Sequence, residues 1–370
     1  VTASTSAKPT ASAPPPSVAV ESSGVTRVSV SVKVGEELGY AVAATRDRVA
    51  VSAWKRQGPD DTHPGSVFVF QRKGAQLDQE AELTVDKSHQ MGNLVALTGD
   101  SLAAGAMFDD GAKKEAGAVY AFTRDDKGWS KGSKLVDKGG KADESFGIGV
   151  AAAGETIVAS NTRDTGGSLF TFERSKSGWS AKQKLAFPEP GGPAEAVSAF
   201  GDIVAVGAQY AGKDEAGTVH LYSRGKRGFA EDTKLSSSSP GENQHFGGSV
   251  AVGVNVVAVA SESHVTIFRK NAGKWSESAR VEPPITTALA DAGLAIEGGT
   301  LAIGLPRVDE GRVLVFKEGK AGWTLEKTLT APDGKKDDWF GYSLALAPKL
   351  LVIGAPLKDE RTGAVYTVVP

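Results

Sequence analysis

The chain contains no cysteine. That excludes disulfides and thiolate metal sites, and it leaves no mark of the redox compartment. Histidine is scarce: His63, His89, His220, His245 and His264 stand singly, without the spacing of a metal-ligand set. No apolar run approaches the roughly 18 residues of a membrane helix. Neither sign of charge dominates, since 42 Lys and Arg stand against 44 Asp and Glu for a net charge of −2. A basic surface for nucleic acid or anionic lipid is therefore absent. No HExxH, Walker loop or GxSxG elbow occurs. No initiator Met or signal sequence heads the chain, so a processed product is expected.

What the chain does have is glycine, 45 residues of it, placed at regular intervals. The last stretch, Trp339 to Val369, shows the pattern. Three short apolar runs, 340–346, 350–353 and 363–368, are separated by Gly, Pro and Asp, which reads as strand, turn, strand, turn, strand. The small residue closing the second run recurs as Ser52, Gly105, Ser160, Gly207, Ala260, Gly304 and Gly354. Fourteen places before each lies Leu38, Met91, Phe146, Pro193, Phe246, Ala290 or Phe340. Gly follows in five copies, and Ala194 and Asp291 replace it in the other two. The copies lie 44 to 55 residues apart, the length of a four-stranded propeller blade.

The third run ends in Phe70, Phe122, Phe172, Tyr222, Phe268, Phe316 and Val368. Seven residues later come Leu77, Trp129, Trp179, Phe229, Trp275 and Trp323, and six beyond those Leu83, Leu135, Leu185, Leu235, Val281 and Leu329. Invariant offsets mean an invariant hairpin to a fourth strand, with turns such as Lys127-Gly128 and Ser177-Gly178. The strict period of the aromatics points to packing between blades. The seventh copy ends at Pro370 without a fourth strand, whereas the alternating segment VTRVSVSVKV, Val25 to Val34, has no partner in sequence. It is expected to supply the outer strand of the last blade and close the ring, removing the open edge. The expected fold is all-β: a seven-bladed propeller over 24–370, with blades starting near 38, 91, 146, 193, 246, 290 and 340.

The Phe-Gly starts and Gly-Ala-Pro ends resemble the FG-GAP repeat of integrin alpha-chain propellers, in the shorter form of bacterial exported proteins. The resemblance covers 25–370. It implies a propeller that presents loops for recognition. The calcium loop that such propellers carry between the first two strands is missing here, where only turns such as Arg46-Asp47, Gly99-Asp100 and Pro348-Lys349 stand. No metal and no cofactor are expected. Residues 1–23, rich in Ser, Thr, Ala and Pro, read as a flexible tether. Together with the resemblance they imply a secreted or envelope-tethered protein.

The long loops, between strands two and three and between blades, share one face. On it stand Trp54, in the place of the repeat's Pro, and Met107, Phe108 and Tyr210 close to the equivalent point of their own loops. Exposed loop aromatics suit a partner surface, and the alternative is that they fold under their own loops. Ahead of the Phe-Gly positions lie Glu36, Glu37, His89, Glu144, His245, Asp338 and Trp339, expected near the channel mouth, either binding a cationic group or as solvated loop ends. Adjacent acids such as Asp60-Asp61, Asp109-Asp110 and Asp337-Asp338 read as solvated loop pairs. The expected function is a non-catalytic, monomeric binding module for a protein partner, in adhesion or assembly. The alternatives are a propeller lectin, and a hydrolase or lyase using Glu144, His245 and Asp338 at the mouth.

Overall fold

Alternating, β-branched runs bounded by Gly-rich turns bury one set of side chains against each neighbour, and a ring is the arrangement that leaves no blade without one. A computed structural model describes residues 20–58, 63–74, 76–162, 166–187, 189 and 196–370. Seven antiparallel sheets of four strands form the blades. Blade 1 comprises Leu38–Ala44, Arg48–Ala53, Ser66–Lys73 and Gln76–Leu83, from the channel outwards. Blades 2 to 6 occupy 95–135, 150–187, 197–235, 250–281 and 294–329. Blade 7 comprises Ser343–Ala347, Leu350–Ala355 and Ala364–Val368, with Thr26–Arg27 as its fourth strand. Residues 1–19 of the expected tether lie outside the described residues, as do Asp60, Asp61 and the Pro193-Ala194 pair.

The outer hairpins repeat as the offsets require. In five blades the register shifts at the aromatic that ends the third strand, between Val69 and Phe70, Thr171 and Phe172, Leu221 and Tyr222, Ile267 and Phe268, and Val315 and Phe316. A bulge at one fixed place adds the same local twist to each blade. Blade 2 instead breaks its outer strand into Gly128–Trp129 and Ser133–Leu135.

The core is seven clusters, each shared by two adjacent blades. Val49, Val51, Phe68 and Phe70 of blade 1 meet Leu350, Val352 and Val365 of blade 7 in the cluster that closes the ring. Trp129, Trp179, Trp275 and Trp323 each pack against such a cluster, while Phe229 is buried within one. The repeat's two glycines have a physical reason here. The N–H of Gly341 bonds to the carbonyl of Gly354 within blade 7, while a Cβ on Gly354 would stand 2.0 Å from the carbonyl oxygen of Gly39 in blade 1. The Gly of one blade's end therefore lies flat on the Phe-Gly turn of the next.

The N-terminal strand completes blade 7 more briefly than the ten-residue pattern predicts. Thr26 and Arg27 pair with Thr367 and Tyr366, and the Val28 N–H reaches the Val365 carbonyl. There the antiparallel register approaches Ala364, where the partner strand begins, so the segment leaves the sheet. Its valines still alternate: Val28, Val30 and Val32 pack on the cluster between blades 7 and 1. Upstream, Val20 and Glu21, read from composition as the end of a tether, add a short parallel fifth strand to blade 6 opposite Thr328 and Leu329.

Candidate functional site

The inner strands enclose a channel of about 1020 Å³, at the upper end of ligand-cavity size. Its wall is mostly small and aliphatic, with Val42, Leu94, Ala152, Val197, Leu294 and Leu344 among the lining residues. Charged side chains in the lining stand only toward its ends: Arg46 and Glu297 close the inner strands, while Asp291 and Arg307 stand at the loop-rich mouth.

The rim of that mouth has two unlike halves. Over blades 2, 1 and 7 it is aromatic. Phe108 lies 6.4 Å from Trp54, Trp54 stacks on Tyr40 at 4.4 Å, Tyr40 tilts against Tyr342 at 5.1 Å, and Tyr342 stacks on Trp339 at 5.5 Å. The Arg307 guanidinium of blade 6 continues the arc, 5.7 Å over the Trp339 ring. Over blades 4 to 6 the rim is polar and titratable. His245 of blade 5 is gripped at both ring nitrogens, Nδ1 by Glu262 at 2.7 Å and Nε2 by Glu215 at 3.1 Å. Those bonds, Glu262's foremost, hold its imidazole pKa above the ordinary value. Tyr210 meets the His245 ring edge-on at 5.3 Å. Asp291 and Arg307 are exposed and have no ion-pair partner among the described residues.

The residues singled out from sequence separate into two groups. Phe108 and Tyr210 stand out into solvent, 42% and 43% exposed, and Met107 is half-buried beside Phe108. Trp54 does not: it is 8% exposed, because its indole N–H donates to buried Glu37 at 2.6 Å. Four of the acids expected at the mouth are buried and already engaged. Glu36 takes Arg56 and the backbone N–H groups of Lys33 and Gln57. Glu37 takes Trp54, Lys55 and Arg361. Asp338 takes Lys358 at 3.1 Å, and Glu144 lies against Asn161. Thus they are neither free cation ligands nor solvated loop ends; they tie down the loops at blades 1, 3 and 7. Asp109 is likewise buried, accepting from Tyr120 and Lys134. His89 is exposed and its backbone N–H donates to Asp109. Trp339 reaches the rim through Tyr342 and Arg307, which line the channel, whereas His245 stands among the surrounding loops and is not a lining residue. The trio Glu144, His245 and Asp338 is not assembled: each is held by the partners just named, on blades 3, 5 and 7.

Tyr40, Tyr342, Asp291, Arg307, Glu215 and Glu262 were not singled out from sequence. A signal existed for three of them. Arg307 falls three places after its blade's anchor, as Phe108 and Tyr210 do, and Tyr40 and Tyr342 each follow the Gly of a Phe-Gly-like pair. Among the described residues, no group of three or more His, Asp or Glu is arranged to hold a metal ion.

Two other histidines, His220 and His264, are buried. His220, 0% exposed, lies between Glu189 at 3.2 Å and Glu231 at 3.3 Å. Burial nevertheless dominates and lowers its pKa. The unfolded chain then binds the proton first, so stability present above the unfolded value of about 6.5 is lost as pH falls through the folded value. Replacing it, His220→Gln, is expected to flatten that part of the stability profile, as read by urea midpoints from pH 7.5 to 5. A profile of unchanged slope would remove His220 from the acid limb.

The FG-GAP repeat model matches residues 323–369, from the outer strand of blade 6 through blade 7. That match and the ring of seven four-stranded blades support an FG-GAP β-propeller. No curated protein sequence matches it. Among solved structures it is similar to a periplasmic gluconolactonase of Pseudomonas aeruginosa, with 13% identity over 80% of this chain and 86% of that one at a TM-score of 0.57. A Lactobacillus plantarum protein matches at 15% identity over 85% and 90%, TM-score 0.56. A putative 6-phosphogluconolactonase of Bacteroides uniformis matches at 12% over 80% and 86%, also 0.56. At these identities the likeness shows the fold alone. The expectation of a non-catalytic module for a protein partner is corrected to this extent: two of these three similar rings are named as lactonases. No helix among the described residues is long and apolar enough to cross a membrane.

Proposed function

We propose that this protein is a hydrolase acting at the loop-rich mouth of its channel, on a small cyclic ester. The observation that carries the reading is the Glu262–His245–Glu215 assembly, a histidine oriented by one carboxylate and resting its other nitrogen on an exposed second one. That is the arrangement an acid–base residue needs: the ring is held by Glu262 at Nδ1, and the Nε2 proton faces a partner that can move aside. Two propellers of similar fold are named as lactonases, which supports the substrate class.

In the proposed reaction the oxygen of water bonds to the ester carbonyl carbon, and the ring C–O bond then breaks. Asp291, free of ion pairs on the neighbouring blade, is the carboxylate available to take the water's proton. The His245 imidazolium gives a proton to the departing ring oxygen, one water is consumed and the hydroxy acid is released, and loss of the Asp291 proton to solvent with uptake of one by His245 restores both groups. Because the carboxylates raise the His245 pKa, its acid form persists above the usual histidine range, and the alkaline limb of activity should lie above about pH 6.5.

The test is hydrolysis of a panel of five- and six-membered lactones followed by pH-stat. Hydrolysis above the buffer rate is expected, with His245→Gln lowering kcat/KM by about 10²- to 10⁴-fold and erasing the alkaline limb. Rates equal to buffer for every lactone, or a variant as active as the parent, would sink the reading. We further propose that the protein is exported, which the periplasmic name of the Pseudomonas neighbour supports, and that its N-terminal segment tethers it.

A further inference from the structure

We propose that the arc from Tyr40 through Tyr342 and Trp339 to Arg307 is a subsite for a ring that carries an acidic group, with the ring over the tyrosines and the anion on the Arg307 guanidinium. As a statement about substrate it rests on the hydrolase reading; as a statement about binding it stands by itself.

Three observations carry it. First, among the described residues Arg307 is the one cation placed at the loop-rich end of the channel lining, and it is exposed without an ion-pair partner there. Most other arginines of this chain are spent: Arg27, Arg48, Arg56, Arg124, Arg224, Arg269, Arg280, Arg312 and Arg361 all have carboxylate partners. Second, Arg307 is positioned, because its guanidinium lies over the Trp339 ring and Trp339 is itself stacked on Tyr342. A guanidinium laid on an aromatic face keeps its edge N–H groups free for bidentate recognition of a carboxylate or phosphate. Third, Tyr40 and Tyr342 both line the channel and touch each other across the boundary of blades 1 and 7. They form a continuous apolar wall beside the cation, and a ring with C–H groups on its face buries surface there that a simple anion cannot.

Charge supplies the orientation. Asp291 lines the mouth on the same blade as Arg307, and like charges repel, so a ligand turns its anion to Arg307 and its neutral portion toward Asp291 and His245. That places the reactive part of a substrate at the titratable half of the rim and its acidic substituent at the aromatic half. Specificity arises because an uncharged ring leaves Arg307 unpaired, whereas a free anion leaves the tyrosine wall wet.

The experiment is titration calorimetry on the full chain at low salt with four hydrolysis-inert probes: glucose 6-phosphate, glucuronate, glucose and inorganic phosphate. At least one of the two acidic rings is expected to bind about tenfold or more tightly than both glucose and phosphate, and which of them does so distinguishes a phosphate from a carboxylate ligand. Arg307→Met should lower that affinity by about 10- to 100-fold, the value of a hydrogen-bonded charge pair, while leaving glucose unchanged. Tyr342→Ala should weaken glucose and the acidic rings together. Equal affinity for glucose and the acidic rings, an unaffected Arg307→Met, or no binding of any probe would overturn the anion subsite. Inorganic phosphate binding as tightly as glucose 6-phosphate would overturn the ring half. Calorimetry and lactone hydrolysis fail separately: binding without turnover removes the hydrolase reading and leaves the subsite, and turnover without selective binding does the reverse.

Discussion

Deleting residues 20–34 is expected to cost the propeller about 5 kcal/mol, a large share of the 5–15 kcal/mol of an ordinary domain. The segment contributes in three ways. Val25 is buried in the cluster shared by blades 6 and 7, which is worth about 1.5–3 kcal/mol on its own. Val28, Val30 and Val32 cover the cluster where blade 7 meets blade 1. The pairing of Thr26, Arg27 and Val28 with the last strand closes a sheet edge that would otherwise lie open beside fully buried Tyr366. Arg27 also bridges Asp333 and Asp359 at 2.9 and 2.8 Å, but all three are about 40% exposed, so Arg27→Met alone should cost no more than about 1 kcal/mol. Urea unfolding of the 20–34 deletion beside a deletion of residues 1–19 makes the comparison, the second expected to match the intact chain. Equal midpoints for the two deletions would mean that the ring closes without its N-terminal strap.

Lys358→Met is the second large effect, with an expected loss of about 3–5 kcal/mol. Lys358 is 1% exposed. It donates to the Asp333 carbonyl at 2.7 Å and to the Asp338 carboxylate at 3.1 Å. Asp338 is itself buried and also accepts the Lys335 N–H. Removing the cation leaves a buried carboxylate with one backbone donor, and the penalty is that uncompensated charge rather than the worth of the pair. Asp338→Asn in the Lys358→Met background should therefore recover a large part of the loss, giving a coupling well above the additivity limit of about 0.5 kcal/mol. A double variant as unstable as the sum of its parts would show that Lys358 matters through packing alone.

The contrast between these sites and the rim shows what could be read ahead of the structure. The offset of fourteen residues between Phe340 and Gly354 is legible because strand pairing forces it, and the contact between Gly354 and the Gly39 carbonyl shows why both ends of the frame resist a side chain. Gly cannot be replaced where another backbone lies within van der Waals distance, so the repeat carries its own packing signature. The outer hairpin is legible in the same way, as a constant spacing, but the bulge beside Phe70, Phe172, Tyr222, Phe268 and Phe316 is not, since blade 2 keeps that spacing and breaks its outer strand instead.

Trp54 and Asp338 are the opposite case. Both stand at loop positions that composition marks as exposed, and both are buried because a partner far along the chain reaches them, Glu37 for the indole and Lys358 for the carboxylate. A pattern of polar and apolar residues along one segment holds no record of a partner supplied by another. Arg307 shows the same gap in reverse. It sits in the frame at the position of Phe108 and Tyr210, yet its seat over Trp339 exists only once blades 6 and 7 are side by side.

Sequence alone determined the ring: seven blades, their strand order and their closure by the N-terminus follow from local periods and fixed spacings, which are properties of one strand and its nearest turn. Only the tertiary structure decided which acids are spent in holding loops and which charges remain at the mouth. Those assignments depend on distances between side chains on different blades, and a charge is neutralised or left free according to what folding brings within about 4 Å of it.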